Sequence, residues 1–390
     1  MIRVLLGGLL ALTIAMGIGR FAFTPILPYM QAEAGLGVGE AGLIASINFL
    51  GYLLGAVVTG LVPQGAPRTW AFRVSLVASV SSTAGMGLTT DLVAWSVLRF
   101  VSGVASAGMF VLGIAMTLDA LARAGRENRA GWLYSGVGIG IAGSGLFVAL
   151  SGGVLDWSGK WLALGLICAV LAPVSWSAMT DQPRPAAKAA DTPAGGGWLS
   201  APLLLLTAAY FLEGAGYIVT GTFLVAILKG MPDTAALGGI AWMVTGLAAA
   251  VSPALWAWTG RRLGLWRALM LAHTVQAVGI LLPLAGLGVA GGLLSAALYG
   301  GTFVGIVGLA FGLGRQLSGG ASARIIGALT TAYSVGQVLG PLPAGLAVEA
   351  TGSYGVALAG AAGAVMLGTL LLALGSALSG RGLRARAAHG

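Results

Sequence analysis

Apolar residues run through this chain in blocks of about twenty, separated by short polar seams. The pattern predicts twelve helices, at approximately 4–30, 39–62, 70–90, 92–118, 130–151, 160–179, 200–228, 236–259, 265–285, 287–314, 323–347 and 355–378. Each is near the ~20 apolar residues that cross a bilayer. Two blocks carry a charge at mid-span. The first closes on Met16–Met30, MGIGRFAFTPILPYM, with Arg20 far inside the apolar run that begins at Val4. An Arg at that depth costs roughly 2.5–3.5 kcal/mol on insertion scales and faces a bundle interior or a wet cavity. Gly17 and Gly19 let another backbone approach, while Pro25 and Pro28 remove two amide donors and predict a bend. The seventh block, AAYFLEGAGYIVTGTFLVAIL, holds Glu213, with Tyr217 one turn on and Thr220 beyond.

The one long polar insertion, 181–199, is rich in Pro, Gly, Ala and charge, as a cytoplasmic linker is. It divides the chain into a six-helix bundle over 1–180 and a second over 200–380, followed by a basic tail, 381–390. The halves are weakly similar. Gly17-Ile-Gly19-Arg20 matches Gly214-Ala-Gly216-Tyr217, and a Gly follows a loop Arg by sixteen residues in each half, Arg129 to Gly145 and Arg324 to Gly340. Secondary transporters are commonly built from such repeats, with the binding site at mid-membrane between them. The alignment puts Glu213 one position before the equivalent of Arg20, so the two charges are expected at similar depth across one cavity.

Composition sharpens the class. The chain has 390 residues, 57% hydrophobic and 8% charged. A soluble domain carries about 25% charged residues, so this is an all-α polytopic membrane protein, its N-terminal run a retained helix rather than a signal peptide. The 66 glycines suit helices packed through small residues in lipid. A net charge of +9 suggests nucleic acid only until its distribution is read. With a cytoplasmic N-terminus, sixteen of the twenty Lys and Arg fall on the cytoplasmic side, Lys160 and Lys229 outside, and Arg20 and Arg99 within spans. The positive-inside rule then places both termini in the cytoplasm, and the basic balance reports topology, with no nucleic-acid partner. Abundant Arg, Ala and Gly suggest a GC-rich bacterial genome, hence the bacterial cytoplasmic (inner) membrane. The single cysteine, Cys168, excludes an intramolecular disulfide and a Cys-based metal cluster.

Other polar residues in the spans are candidates with a plainer reading beside each. Asn48 and Tyr52 share a helical face near Ser46 and either line a cavity or tie helices together. Arg99 is structural, or snorkels to the interface. Asp119 suits an interfacial partner of the loop arginines. Gly138, Gly140 and Gly143 have GxGxxG spacing, but no strand precedes them, so helix packing explains them better than a dinucleotide. His273 and Gln276 lack further ligands for a metal. Tyr299, Tyr333 and Gln337 can shape a pocket, and Gly336 to Gly345, with Gly340 and Pro341, is a flexible, tightly packed segment.

Twelve spans in two halves resemble the major facilitator superfamily over essentially the whole chain. Arg99-Phe-Val-Ser-Gly103 looks like its fourth-helix Arg-x-x-x-Gly motif, and Gly336 to Gly345 like its glycine-proline motif in repeat-equivalent position. The loop motif between helices two and three keeps Gly60 and Arg68 but has Gln64 for the acid, and the loop from Ala257 to Gly264 keeps only Arg262 and Gly264. More narrowly, GIGRFAFTPILPYM, NFLGYLLGA and EGAGYIVTGTFL resemble the YbfB/YjiJ-type branch, whose members are presumed transporters.

The expected function is secondary active transport of a small organic solute by alternating access, coupled to protons. Arg20 is expected to bind an anionic group of the solute, and Glu213 to pair with Arg20 in the empty state or carry the coupling proton. Asn48, Tyr52, Tyr217, Tyr299, Tyr333 and Gln337 are pocket candidates; Arg99, Asp119, Gly340 and Pro341 are structural or gating candidates. The partners are solute, membrane lipid and protons, with no cofactor or metal, and a monomer by analogy. Rival readings are multidrug efflux by proton antiport and a non-transporting ligand sensor. No Ser/His/Asp constellation, metal spacing or nucleotide loop supports an enzyme.

Overall fold

The computed structural model describes residues 2–126, 130–181, 200–318 and 322–387. Nearly all of the predicted linker and the last three residues of the predicted tail lie outside them. Among the described residues every regular element is a helix. Eleven helical segments are long and apolar enough to cross a membrane. The predicted third span is the one that falls short. Its helix, α4 (Ala66–Gly85), carries Arg68, Arg73 and a run of hydroxyl residues. Ser75 and Thr83 donate to carbonyls four residues back, on Ala71 and Ser79, so these hydroxyls are satisfied inside the helix. It packs between α5 (Leu92–Arg123) and α7 (Trp157–Ala178).

The first apolar block is α1 (Ile2–Leu12), a π-helical stretch Thr13–Arg20, and α2 (Phe23–Ala34). The irregularity therefore begins before the prolines, not at them. Pro25 has no N–H for the Phe21 carbonyl, and the turn before it has widened, with Phe21 bonding back to Met16. Widening frees the carbonyls of Gly19 and Arg20. Both are taken by Arg99 at 3.0 Å, and Ser102 also donates to Gly19 at 2.9 Å. Arg99 thus does not snorkel: it is 2% exposed and clamps the broken helix.

Helices α1 to α7, which include α3 (Val38–Gly60) and α6 (Ala130–Leu150), pack mainly on one another. So do α8 (Ala201–Lys229), α9 (Gly238–Leu263), α10 (Leu265–Leu281), α11 (Gly288–Ser318), α12 (Ser322–Leu339), α13 (Pro341–Thr351) and α14 (Tyr354–Ala387). Two seams join the groups. Along α6 and α9, Gly138 lies against Ala250, Ala142 against Gly246, and Gly145 against Gly239 and Met243. Close packing is thus the use of the GxGxxG glycines Gly138 and Gly140, the latter meeting Gly17 of the first helix. In the second seam, between α3 and α13, Gly42 abuts Pro341 and Gly345 abuts Val38. The chain breaks at Gly340, and the Leu342 amide donates across the seam to Ser46 at 3.2 Å.

The acid missing from the α3–α4 loop is supplied from elsewhere. Asp181, just past α7, accepts from the Gly65 amide at 2.7 Å and lies 4.0 Å from Arg68. Asp119 lies half-buried near the end of α5, which runs to Arg123, past the predicted end of that span. The last helix continues to Ala387, through most of the predicted tail.

Candidate functional site

Between the two groups of helices lies a cavity of about 550 Å³. It begins at Met16, Arg20 and Gln337 and extends past Phe110, Tyr134 and Phe311 to Arg315, which is exposed near the end of α11. Beyond Arg20 in the other direction the two groups close. The Thr24 hydroxyl donates to the Gly221 carbonyl, and both seams tighten there. Further on, the Tyr29 ring has the Lys229 ammonium at 3.6 Å and the Lys160 ammonium at 4.0 Å. The cavity is sealed at this end and widens toward the other.

Arg20 is 3% exposed and stands at the blind end. Its guanidinium lies 4.0 Å from the Tyr52 ring centroid and 4.6 Å from that of Phe49, both within cation–π range. One Nη donates to Gln337 Oε1 at 3.0 Å, and the other lies 3.9 Å from the Met16 sulfur. Its Nε has no partner. No carboxylate of the described residues is among its contacts.

The α8 group supplies the opposite wall. Tyr210 stacks on Tyr333 at 4.5 Å, Tyr333 on Tyr217 at 5.4 Å, and Tyr217 on Phe303 at 5.8 Å, all within 20° of parallel. Offset stacking of this kind gives a rigid platform of π faces. Gln337 Nε2 donates to the Tyr217 hydroxyl, so a single side chain links the platform to Arg20.

Glu213 is behind this wall. It is fully buried, outside the cavity lining, and neither carboxyl oxygen has a hydrogen-bond partner. It faces the Gln276 amide, whose two polar atoms are also unpartnered. His273, one turn before Gln276, bonds through Nδ1 to the Leu269 carbonyl at 2.9 Å and leaves Nε2 free. The expected pairing of Arg20 with Glu213 is thus absent from this state.

Of the pocket candidates, Arg20, Tyr52, Tyr217, Tyr333 and Gln337 line the cavity together. Asn48 does not: its amide donates to the Arg99 carbonyl at 2.7 Å, tying α3 to α5. Tyr299 is one layer back, stacked on Phe303 at 5.5 Å. Sequence reasoning missed Tyr210 and Phe303. Tyr210 is seven residues before Tyr217, and Phe303 four after Tyr299, so helical spacing alone puts each on a face with a residue already singled out.

A family model described as the uncharacterised MFS-type transporter YbfB matches residues 12–373. Among curated proteins, the chain is 29% identical to a chloramphenicol resistance protein of Streptomyces lividans, over 60% of this chain and 59% of that one. It is also 25% identical to an MFS-type transporter of Yersinia pestis, over 47% of this chain and 48% of that one. The chain thus spans less than two thirds of the length of these relatives. Among solved structures, a variant of the nucleoside transporter NupG superposes with a TM-score of 0.78 at 15% identity, covering 96% of this chain and 99% of that one. A bacterial homologue of the human lysosomal transporter Spinster, inward-facing and unoccupied, gives 0.66 at 15% identity, over 96% and 95%. These likenesses establish the fold, and the family match sets the class: the chain belongs to the YbfB-type family of major facilitator superfamily transporters and is an integral membrane protein.

Proposed function

We propose that the protein moves a small organic anion by alternating access, driven by protons. The observation that carries this reading is Arg20, a buried cation at the blind end of a cavity, with no acid paired to it. A charge at that depth wants a counter-charge, and the solute supplies it. In this reading α4 is a twelfth span, the halves 1–180 and 200–380 rock about Arg20, and both termini are cytoplasmic. The open end, where Arg315 lies, then faces the cytoplasm.

Glu213 carries the coupling proton. A carboxyl group buried away from any cation can exchange a proton once rearrangement of the tyrosine wall gives it water. Proteoliposomes with an imposed pH gradient test this. Addition of a carried carboxylate should move protons, and Glu213→Gln should lose gradient-driven uptake yet keep solute exchange. Full driven transport by that variant removes the coupling role.

Proton-antiport drug efflux is the second reading, favoured by the similarity to a chloramphenicol resistance protein and by the largely apolar lining. Arg20 opposes it for cationic drugs, since Glu213 is not placed to neutralise the guanidinium. Transport of lipophilic cations that improves in Arg20→Ala would favour efflux over anion transport.

A further inference from the structure

We infer that the cavity is built for an aromatic monocarboxylate, its carboxylate on Arg20 and its ring on the Tyr333–Tyr217 platform. This rests on the proposal above only in taking the cavity as the solute site.

The charge comes first. Arg20 and Arg315 are the ionised side chains of the lining, and no acid is among them. Arg315 is exposed at the mouth, where water screens it, so one uncompensated charge remains at the closed end. One carboxylate neutralises it; a dianion would leave a surplus negative charge there.

The donor geometry comes next. The guanidinium lies over the Tyr52 and Phe49 rings, and Gln337 takes one Nη. Nε is unused, and the second Nη meets the Met16 sulfur at 3.9 Å. A fixed guanidinium with spare donors suits the two oxygens of a carboxylate, the planar group that Arg binds in bidentate fashion.

The shape of the rest of the ligand follows from the platform. Tyr210, Tyr333, Tyr217 and Phe303 are near-parallel rings. Because Gln337 bonds both the Tyr217 hydroxyl and Arg20, the platform ends one side chain from the cation. A solute that engages both has its carboxylate on the ring or a short spacer away. A volume of about 550 Å³ holds one such molecule.

The test uses the full chain purified in detergent and four probes of similar size: benzoate, benzamide, benzylamine and cyclohexanecarboxylate, compared by calorimetric titration at pH 7.5. Benzoate should bind at least about tenfold more tightly than benzamide, as one charge-assisted pair provides. It should also outbind cyclohexanecarboxylate several-fold, and benzylamine should not bind. In Arg20→Gln the benzoate-to-benzamide ratio should fall to about one, with benzamide binding retained as a check on folding. In Tyr333→Leu the preference for benzoate over cyclohexanecarboxylate should shrink while the preference over benzamide persists. Equal binding of benzoate and benzamide by the unmodified protein, a ratio unchanged in Arg20→Gln, or no binding of benzoate at millimolar concentration would overturn the inference. The two readings fail separately. Benzoate binding without counterflow in proteoliposomes at pH 8 removes transport of this class and leaves the site. Proton-linked flux of a non-aromatic solute with no benzoate binding removes the ligand class and leaves transport.

Discussion

Arg20 and Glu213 are the two charged residues the sequence puts at the centre of the membrane, and the structure treats them in opposite ways. Arg20 has two rings within cation–π range, an amide on one edge and a cavity in front. Glu213 has no partner, no cavity and a wall of tyrosines between itself and Arg20. A guanidinium is weakly hydrated and tolerates π faces as solvent; a carboxylate accepts only hydrogen bonds or cations. One group is therefore solvated while it waits for a ligand, and the other is stored.

The largest expected effect separates those two roles. Glu213→Gln should abolish gradient-driven accumulation and leave exchange intact, whereas Arg20→Gln should lose both for an anionic solute. Proteoliposome uptake with and without a pH gradient reads the difference, and equal losses in both variants would erase the contrast.

The next effect is on stability. Arg99 makes two charge-assisted bonds to backbone carbonyls, and Arg20 makes one hydrogen bond to an amide. Such charged bonds are worth about 1.5–3 kcal/mol each. Arg99→Leu should therefore lower the thermal midpoint in detergent clearly more than Arg20→Gln does. The reverse order would make Arg20 the structural residue.

Two smaller effects concern the seal behind Arg20. A side chain at Gly145 meets the Met243 amide and the Gly239 carbonyl, so Gly145→Leu should hold the seam apart and cut flux about tenfold. Cys168 is fully buried, so cysteines introduced near Thr24 can be labelled to follow opening at that end. Thr24→Val removes a single hydrogen bond to Gly221, worth about 1 kcal/mol. It should raise labelling by no more than about fivefold.

Much of this was legible in the chain. A charge inside an apolar run has few physical meanings, so Arg20 and Glu213 announced themselves. Their separation did not, because spacing gives depth along a helix and not what stands between two helices. Arg99 was ambiguous for a related reason: its partners are carbonyls that become free only because the first helix widens over Thr13–Arg20, and no residue type marks that widening. Asn48 looked like pocket chemistry and is a tie between helices, since an amide in lipid needs a partner whether or not a ligand is near. The prolines predict a bend, whereas the first helix departs from α geometry ahead of them, over Thr13–Arg20, where Arg99 holds the freed carbonyls. Ser75, Ser82 and Thr83 bond to carbonyls of their own helix, so α4, too polar to count as a span by composition, still packs among the others.

The seam between α6 and α9 has a mechanical meaning. Its closest contacts are glycine and alanine against backbone. Interdigitated side chains must change rotamer before two helices can roll past each other, and each such change adds friction. A smooth seam has no teeth to disengage. On the rocking motion proposed above it would serve as a bearing, and the pace of opening would be set by what must be undone elsewhere: the Thr24 bond, the Ser46 bond and the two ammonium groups over Tyr29.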